Sequence, residues 1–242
     1  GCPHDYQLTT DDMKLLSDAD IFIMNGGGME GFLQDIIENY PDIYVIDSSS
    51  NINMLESQGH EGEVNAHIWL DTSRYIQQID NIRNGIIKYI EESNLGSYWQ
   101  KGIEKINHNR DNYVKDVKEI DEKIEKLLEG KENRKNKVVV FHDAFEYLAD
   151  RLGIEVLATI EVEGHTALSA SEIAEIIDLI NDQNVTFLFT ELQFGNSITK
   201  RIEEETQVKV YVIDSAVTGD GSMNSYIEAM ERNLNVLKEL MH

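Results

Sequence analysis

Short apolar runs alternate with amphipathic stretches along the N-terminal part of the 242-residue chain. Ile21–Met24 and residues 43–46 are predicted to be strands, because both runs are short and rich in β-branched or aromatic side chains. Residues 30–39 and Thr72–Glu92 are predicted to be helices, since apolar side chains recur along them at helical spacing. The highly charged stretch 98–129 predicts one long, largely solvated helix.

The C-terminal part repeats the order of strand and helix more regularly. Its predicted strands are residues 138–141, 154–160, 185–189 and 208–213. Its predicted helices are residues 144–152, a stretch from Ser169 or Ser171 to Asn181, residues 197–205 and residues 222–240. The apolar runs are continuous, which is typical of parallel strands covered on both faces.

These patterns predict an α/β fold with two parallel-sheet lobes. The N-terminal lobe is expected over residues 1–96 and the C-terminal lobe over residues 131–242. A long, rigid helix over residues 97–130 is expected to join them.

The chain is strongly acidic, with 45 Asp and Glu against 21 Lys and Arg and a formal net charge of −24. Such a field repels nucleic acids and anionic membrane surfaces, so neither is an expected partner. Cys2 is the one cysteine, which excludes an internal disulfide. The sequence has no apolar run of the roughly 18 residues that a membrane-spanning helix needs, and a monomer is expected.

Polar side chains that follow predicted strands are the candidates for a ligand site, because open parallel sheets bind ligands beyond the carboxyl ends of their strands. His142 and Asp143 follow one strand of the C-terminal part. Glu191 and Asp214 follow two others. These four positions predict a polar site at one edge of the sheet.

Two histidines of the N-terminal part extend this set. His4 lies in the loop before a helix predicted around residues 11–19, and His67 ends a long loop just before Thr72. Together with His142 and Asp214 they supply three imidazoles and one carboxylate, a donor set that can close a tetrahedron around zinc. Such a site would take one Zn²⁺ ion in the cleft between the two lobes.

Four segments in chain order resemble the motifs of the substrate-binding proteins of zinc and manganese ABC transporters. They are Pro3-His4-Asp5-Tyr6 with the stretch from Leu16 to Gly26, then Asn65-Ala66-His67-Ile68-Trp69-Leu70-Asp71, then Phe141-His142-Asp143-Ala144-Phe145, and Val212-Ile213-Asp214-Ser215. This resemblance spans essentially the whole chain. It implies two α/β lobes joined by a long helix.

The resemblance places His4, His67, His142 and Asp214 on the family's four metal-ligand positions. Members that prefer manganese usually carry glutamate where this chain has His142, so Zn²⁺ is the expected ligand and Mn²⁺ the less expected one. The resemblance also implies an ABC permease as partner. It implies a location in the periplasm or, as a lipoprotein, on the outer face of the cytoplasmic membrane.

Other side chains are candidates for supporting roles. Glu191 is a possible alternative ligand, and Asp71 and Asp143 could accept the N–H of a ligating imidazole. Helix capping or a plain turn explains these three residues as well. His60 is the one histidine between Glu56 and Val64, where zinc members of the family often carry a His-rich loop.

Three function classes follow. The first is capture of Zn²⁺ for import, or of manganese or iron by a member of the same family. The second is a zinc-dependent hydrolase or chelatase-like enzyme, against which the closed four-ligand set and the missing GxSxG motif both argue. The third is a surface protein related to adhesins, because some relatives have been described as such. The family's first βαβ unit does not precede Pro3-His4, so we expect either that a further N-terminal segment precedes Gly1 or that the N-terminal lobe is a reduced variant.

Overall fold

The structure, a computed structural model, describes residues 6, 8–33, 40–58, 62–93, 98–129, 136–160, 168–191 and 196–241. By packing, the chain divides into two compact units. Unit 1 comprises Gly1–Met54 and Thr72–Glu119, and unit 2 comprises Leu55–Asp71 and Ile120–His242.

Unit 1 contains a parallel pair of strands, β1 (Ile21–Met24) and β2 (Tyr44–Asp47). Helix α1 (Thr10–Ser17) precedes β1, and Thr9 caps it in a capping box with Asp12. Helix α2 (Thr72–Glu92) packs on β2, where Gly85 leaves room for the side chain of Ile46. Both predicted strands and the predicted helix are therefore present in the first unit.

Helix α3 (Gln100–Leu128) is the longest element and contributes to both units. Its sequence predicts a largely solvated helix, yet Val114, Val117, Ile120 and Ile124 are almost completely buried. These four apolar residues recur every three or four positions and so form one stripe. The charged residues between them occupy the remaining faces, which explains the polar composition.

Unit 2 is built on a four-stranded parallel sheet with the strand order β4-β3-β5-β6. The strands are β3 (Lys137–Val140), β4 (Glu155–Thr159), β5 (Phe187–Glu191) and β6 (Lys209–Ile213). The helices are α4 (Glu146–Leu152), α5 (Ala170–Gln183), α6 (Asn196–Thr206) and α7 (Ser225–Met241). The central strands β3 and β5 are the most deeply buried, as their continuous apolar runs predict.

The segment Leu55–Asp71 belongs to unit 2, although the predicted N-terminal lobe extended to residue 96. The hydroxyl of Tyr147 on α4 donates to the carbonyl of Asn65 at 2.7 Å and accepts from the amide of Leu55 at 3.1 Å. The indole N–H of Trp69 donates to the carbonyl of Ser215 at 2.8 Å. The hydrophobic pattern could not show this division, because long-range hydrogen bonds from single side chains determine it.

Most predicted elements are observed with ends shifted by one to three residues. The two parallel-sheet α/β units and the long helix confirm the predicted fold class. The helix predicted over residues 30–39 is represented in the described chain by a single 3-10 turn, Gly31–Leu33. Residues 34–39 lie outside the described residues.

Candidate metal site

His142 lies just after the C-terminal end of the central strand β3. The amide of Phe141 donates to the carbonyl of Phe189 at 2.9 Å, so the hydrogen bonding between β3 and β5 extends one residue past the end of β3. His142 itself is extended, with φ −169°, and the 3-10 helix Asp143–Phe145 begins directly after it. The imidazole is therefore placed at the carboxyl edge of the sheet, as the strand-end argument predicts.

His67 is placed by a loop rather than by a strand. Its imidazole is 0 % exposed, and the 3-10 helix Ile68–Leu70 follows it. The side-chain oxygen of Asn65 accepts from the backbone N–H of His67 at 2.9 Å and lies 3.1 Å from Nδ1 of the same residue. One amide oxygen thus fixes both the backbone and the ring of His67.

The two imidazoles meet beside an acidic side chain. The ring centroids of His67 and His142 are 4.8 Å apart, with the planes at 73°. Oδ1 of Asp143 lies 3.4 Å from Nδ1 of His67 and 3.5 Å from Nε2 of His142. The possible ligand atoms of these three residues all lie within 4.8 Å of one another. Two imidazole nitrogens and one carboxylate oxygen are ligands that zinc accepts, so this donor set fits a zinc ion.

Hydrogen-bond acceptors determine which ring nitrogens face an ion. Nδ1 of His67 faces the oxygens of Asn65 and Asp143, so in the neutral ring this nitrogen carries the hydrogen. Nδ1 of His142 lies 3.0 Å from Oε1 of Glu191, and Nε2 of the same ring lies 3.5 Å from Oδ1 of Asp143. In His67, Nε2 then carries the lone pair with which an imidazole binds a metal, whereas either ring nitrogen of His142 can serve as the ligand atom.

Glu191 supplies negative charge behind His142. Burial by itself raises the pKa of this carboxyl, but its contact with His142, the Ser215 hydroxyl and the charge of His67 outweigh burial and lower the pKa below the ordinary value. Glu191 is therefore ionised at neutral pH. A carboxylate in contact with Nδ1 strengthens the imidazole as a ligand.

Asn65 and Glu146 form a buried layer under the two histidines. The side-chain NH₂ of Asn65 donates to the carbonyl of Asp143 at 2.8 Å and to Oε2 of Glu146 at 2.9 Å. The hydroxyl of Thr159 donates to Oε1 of Glu146 at 2.6 Å. Because both acceptors face the NH₂ group, the amide oxygen of Asn65 must face His67. The layer thus fixes the orientation of the amide that holds His67.

Asp214 is engaged elsewhere, although the sequence places it among the ligands. Its Oδ2 accepts from Nε and Nη2 of Arg232 at 3.0 and 2.8 Å, and its Oδ1 accepts from the amide of Ala216 at 2.9 Å. Asp214 is thus not among the three residues that the described structure groups around the histidines. The next residue, Ser215, does reach Glu191.

The other predicted site residues are more distant or not described. Asp71 is 4 % exposed at the end of the 3-10 helix Ile68–Leu70, where its charge acts on Arg151. His4 and His60 lie outside the described residues. Asp143 lies close to both histidines, with Oδ1 3.4 Å from Nδ1 of His67 and 3.5 Å from Nε2 of His142.

Two residues with a clear geometric role did not emerge as candidates from the sequence. Asn65 lies two positions before His67 inside the second motif, so the motif was the signal that could have identified it. Arg232 lies in α7, 18 residues after Asp214, and no local pattern links the two. Only the packing of α7 against β6 brings that pair together.

Comparison with known proteins identifies the family of this chain. The family described as "Zinc-uptake complex component A periplasmic" matches residues 1–240. The chain is 24 % identical over 237 residues to the manganese-binding lipoprotein MntA of Halalkalibacterium halodurans, covering 96 % of this chain and 75 % of MntA. It is 22 % identical over 256 residues to the zinc-binding lipoprotein AdcA of Streptococcus pneumoniae, covering 98 % of this chain and 49 % of AdcA.

A solved structure of a metal-bound substrate-binding protein has the same fold. The chain superposes on the substrate-binding protein FpvC of Pseudomonas aeruginosa in complex with Mn²⁺ with a TM-score of 0.78 and 26 % identity, covering 100 % of this chain and 86 % of FpvC.

None of the helices in the described part of the chain is both long and apolar enough to cross a bilayer. The hydrolase and chelatase alternative is set aside, since the relatives are substrate-binding proteins. The chain belongs to the family of periplasmic zinc-uptake component A, and it is an extracytoplasmic metal-binding protein rather than an enzyme.

Proposed function

We propose that the chain captures Zn²⁺ outside the cytoplasm and delivers it to an ABC-type metal permease. The observation that supports this most directly is the pair of imidazoles, His67 and His142, whose ring centroids lie 4.8 Å apart beside the carboxylate of Asp143. Neutral imidazole nitrogen is a preferred ligand of zinc and a weaker one of manganese. The ionised Glu191 beside His142 adds the negative charge that a bound dication needs nearby.

The proposed ligands are His67 and His142 together with His4 and Asp214. The first two are supported by their geometry, and the other two by the motifs that resemble those of the metal-binding family. Four protein ligands complete the tetrahedral coordination of a zinc ion and leave no open position for an activated water. Such a set suits a protein that carries its metal without reacting at it.

The supporting residues have separate tasks in this proposal. Asn65 holds the ring of His67, and the carboxylate of Glu191 lies beside the ring of His142. Asp143 adds a carboxylate within 3.5 Å of both rings, where it favours a cation. Binding requires neutral imidazoles, so acidification releases the ion by protonating its ligands.

Zinc titration of the metal-free protein tests the proposal. Competition with a chromophoric chelator should give one Zn²⁺ ion per chain, and His142→Ala should weaken binding about 100-fold or more, the share of one ligand in a four-ligand site. His108→Ala is the matched control, because His108 is a histidine of helix α3 in the other unit. Equal affinity of His142→Ala and His108→Ala would remove His142 from the site.

A second candidate is a manganese carrier of the same family. The carboxylates of Asp143 and Glu191 next to His142 favour it, because oxygen ligands suit Mn²⁺. The names of MntA and of the Mn²⁺ complex of FpvC support it as well. Parallel titrations with the two ions separate the candidates, since a zinc carrier binds Zn²⁺ more tightly than Mn²⁺ by orders of magnitude and a manganese carrier has a far smaller ratio.

A further inference from the structure

The side chain of Arg232 binds the carboxylate that the proposed site needs as its fourth ligand. Nε and Nη2 of Arg232 both donate to Oδ2 of Asp214, at 3.0 and 2.8 Å. The side chain of Asp214 is 9 % exposed and that of Arg232 is 54 % exposed. A charge-assisted pair of hydrogen bonds to a shielded carboxylate is among the stronger side-chain contacts of a protein.

The backbone of Asp214 is fixed independently of Arg232. The side chain of Asn233, which is 2 % exposed, accepts from the amide of Asp214 and donates to its carbonyl, both at 2.8 Å. The adjacent residue Ser215 accepts from the indole of Trp69 through its carbonyl and reaches Glu191 through its hydroxyl. Asp214 therefore stays at the edge of the site in any event, and only its side chain can change partner.

We infer that Arg232 sets the metal preference of the site by holding the carboxylate of Asp214. While Arg232 binds this carboxylate, the site offers mainly imidazole nitrogen, which favours Zn²⁺ over Mn²⁺. An ion that uses Asp214 must either displace Arg232 or tolerate its positive charge close by, and both weaken binding. The loss is larger for Mn²⁺, because Mn²⁺ depends more on oxygen ligands. This inference rests on the proposed function and on Asp214 as a ligand.

Arg232→Gln tests the inference on the full chain. Gln suits the helix as well as Arg does but removes the charge, so Asp214 becomes available to the ion. The affinity for Mn²⁺ should rise about tenfold, because the ion no longer has to displace a charge-assisted pair of hydrogen bonds in order to use Asp214. The affinity for Zn²⁺ should rise less, so the ratio of the Zn²⁺ affinity to the Mn²⁺ affinity falls.

Arg201→Gln is the matched control, since Arg201 is 49 % exposed and pairs with Glu205 at 2.8 Å on helix α6.

The effect must also depend on Asp214. In an Asp214→Asn background, Arg232→Gln should leave the affinities for Zn²⁺ and Mn²⁺ unchanged. In the otherwise wild-type chain, Arg232→Lys keeps the positive charge and should retain most of the wild-type ratio. The visible spectrum of bound Co²⁺ should change in Arg232→Gln alone, because a stronger oxygen ligand alters the coordination. An unchanged metal ratio in Arg232→Gln, or the same shift in the Asp214→Asn background, overturns the inference.

Failure of the proposed function gives a different result. In that case the wild-type protein binds no stoichiometric Zn²⁺, or His142→Ala binds it as tightly as the wild type. If His142→Ala loses Zn²⁺ while Arg232→Gln behaves as the wild type, the carrier function stands and the role of Arg232 is refuted.

Discussion

The imidazole rings of His67 and His142 meet edge to face with 4.8 Å between their centroids. They come from a loop and from a strand end that are far apart in the sequence, and both belong to unit 2. Each ring has a side-chain oxygen close to Nδ1, the amide oxygen of Asn65 at 3.1 Å in one case and the carboxylate of Glu191 at 3.0 Å in the other. The pair is therefore oriented before any ion arrives, which lowers the entropic cost of binding.

Replacing one imidazole of this pair by a carboxylate should change the metal preference. His142→Glu adds an oxygen ligand and a second negative charge beside Glu191, so the affinity for Zn²⁺ should fall about 10- to 100-fold while that for Mn²⁺ changes little or rises. The ratio of the two dissociation constants, measured by competition with one chelator, reports the shift. His108→Glu on helix α3 serves as the control. A wild-type ratio in His142→Glu would contradict the assignment of His142 as a ligand.

Asn65 should affect metal binding through His67 without touching the ion. Asn65→Leu keeps the volume but removes the acceptor for Nδ1, so the affinity for Zn²⁺ should fall about 10- to 100-fold. It also removes a donor to the buried Glu146, which should lower the free energy of unfolding by about 1–3 kcal/mol. Calorimetry and urea denaturation measure the two effects.

Thr159→Val separates the two effects of Asn65. It removes the 2.6 Å hydrogen bond to Glu146 and leaves the contact between Asn65 and His67 in place. Stability should fall while the affinity for Zn²⁺ stays within about threefold of the wild type, a difference below 1 kcal/mol. An equal loss of affinity in both variants would mean that stability, and not the orientation of His67, controls binding.

The sequence predicts the parts of this site that depend on local pattern. The continuous apolar run before His142 identifies a buried parallel strand, and the end of such a strand is where ligands bind. His67 could be placed next to the site by its position just before Thr72 and by the resemblance, because the loop itself has no periodic pattern. The strand bounds, by contrast, follow from hydrophobic runs that the sheet must bury.

Contacts between distant side chains could not be read from the sequence. The pairs Arg232–Asp214 and Tyr147–Asn65 join residues on different elements, and each depends on the exact packing of a helix against its neighbours. The same reason accounts for the placement of Leu55–Asp71 in unit 2. A hydrophobic pattern states which face of an element is buried, but not which polar groups meet across it.

The buried Glu146 should make the stability of the metal-free protein depend on pH. Burial raises the pKa of this carboxyl above its ordinary value, and the charge of Asp143 adds to this, although hydrogen bonds from Thr159 and Asn65 act in the opposite direction. Below pH 4.5, the ordinary value for this carboxyl, the folded and the unfolded chain both hold the proton. As the pH rises through the raised pKa, the unfolded chain ionises first, so this residue destabilises the folded state.

Glu146→Gln removes that pH dependence. Relative to the wild type, the variant should gain stability between pH 4.5 and 7 and show little difference below pH 4.5. Urea denaturation in the presence of a chelator at several pH values measures the difference. Glu155→Gln is the control, because Glu155 on β4 is exposed and water solvates its charge in both states. A difference between Glu146→Gln and the wild type that is the same at every pH would contradict the argument.

The hydroxyl of Tyr147 should determine how firmly the segment Leu55–Asp71 is held in unit 2. Tyr147 is 0 % exposed, and its hydroxyl bonds both Asn65 and Leu55. Tyr147→Phe leaves these two backbone groups without that partner, so the free energy of unfolding should fall by about 1–3 kcal/mol. Amides of residues 62–71 should exchange faster with solvent than in the wild type, while those of β3 and β5 keep their protection.

Tyr211→Phe on β6 is the control, because Tyr211 is a half-buried tyrosine of the same unit, and it should change the free energy of unfolding by less than about 0.5 kcal/mol. Unchanged exchange of residues 62–71 in Tyr147→Phe would show that Trp69 and the apolar contacts suffice to hold the segment.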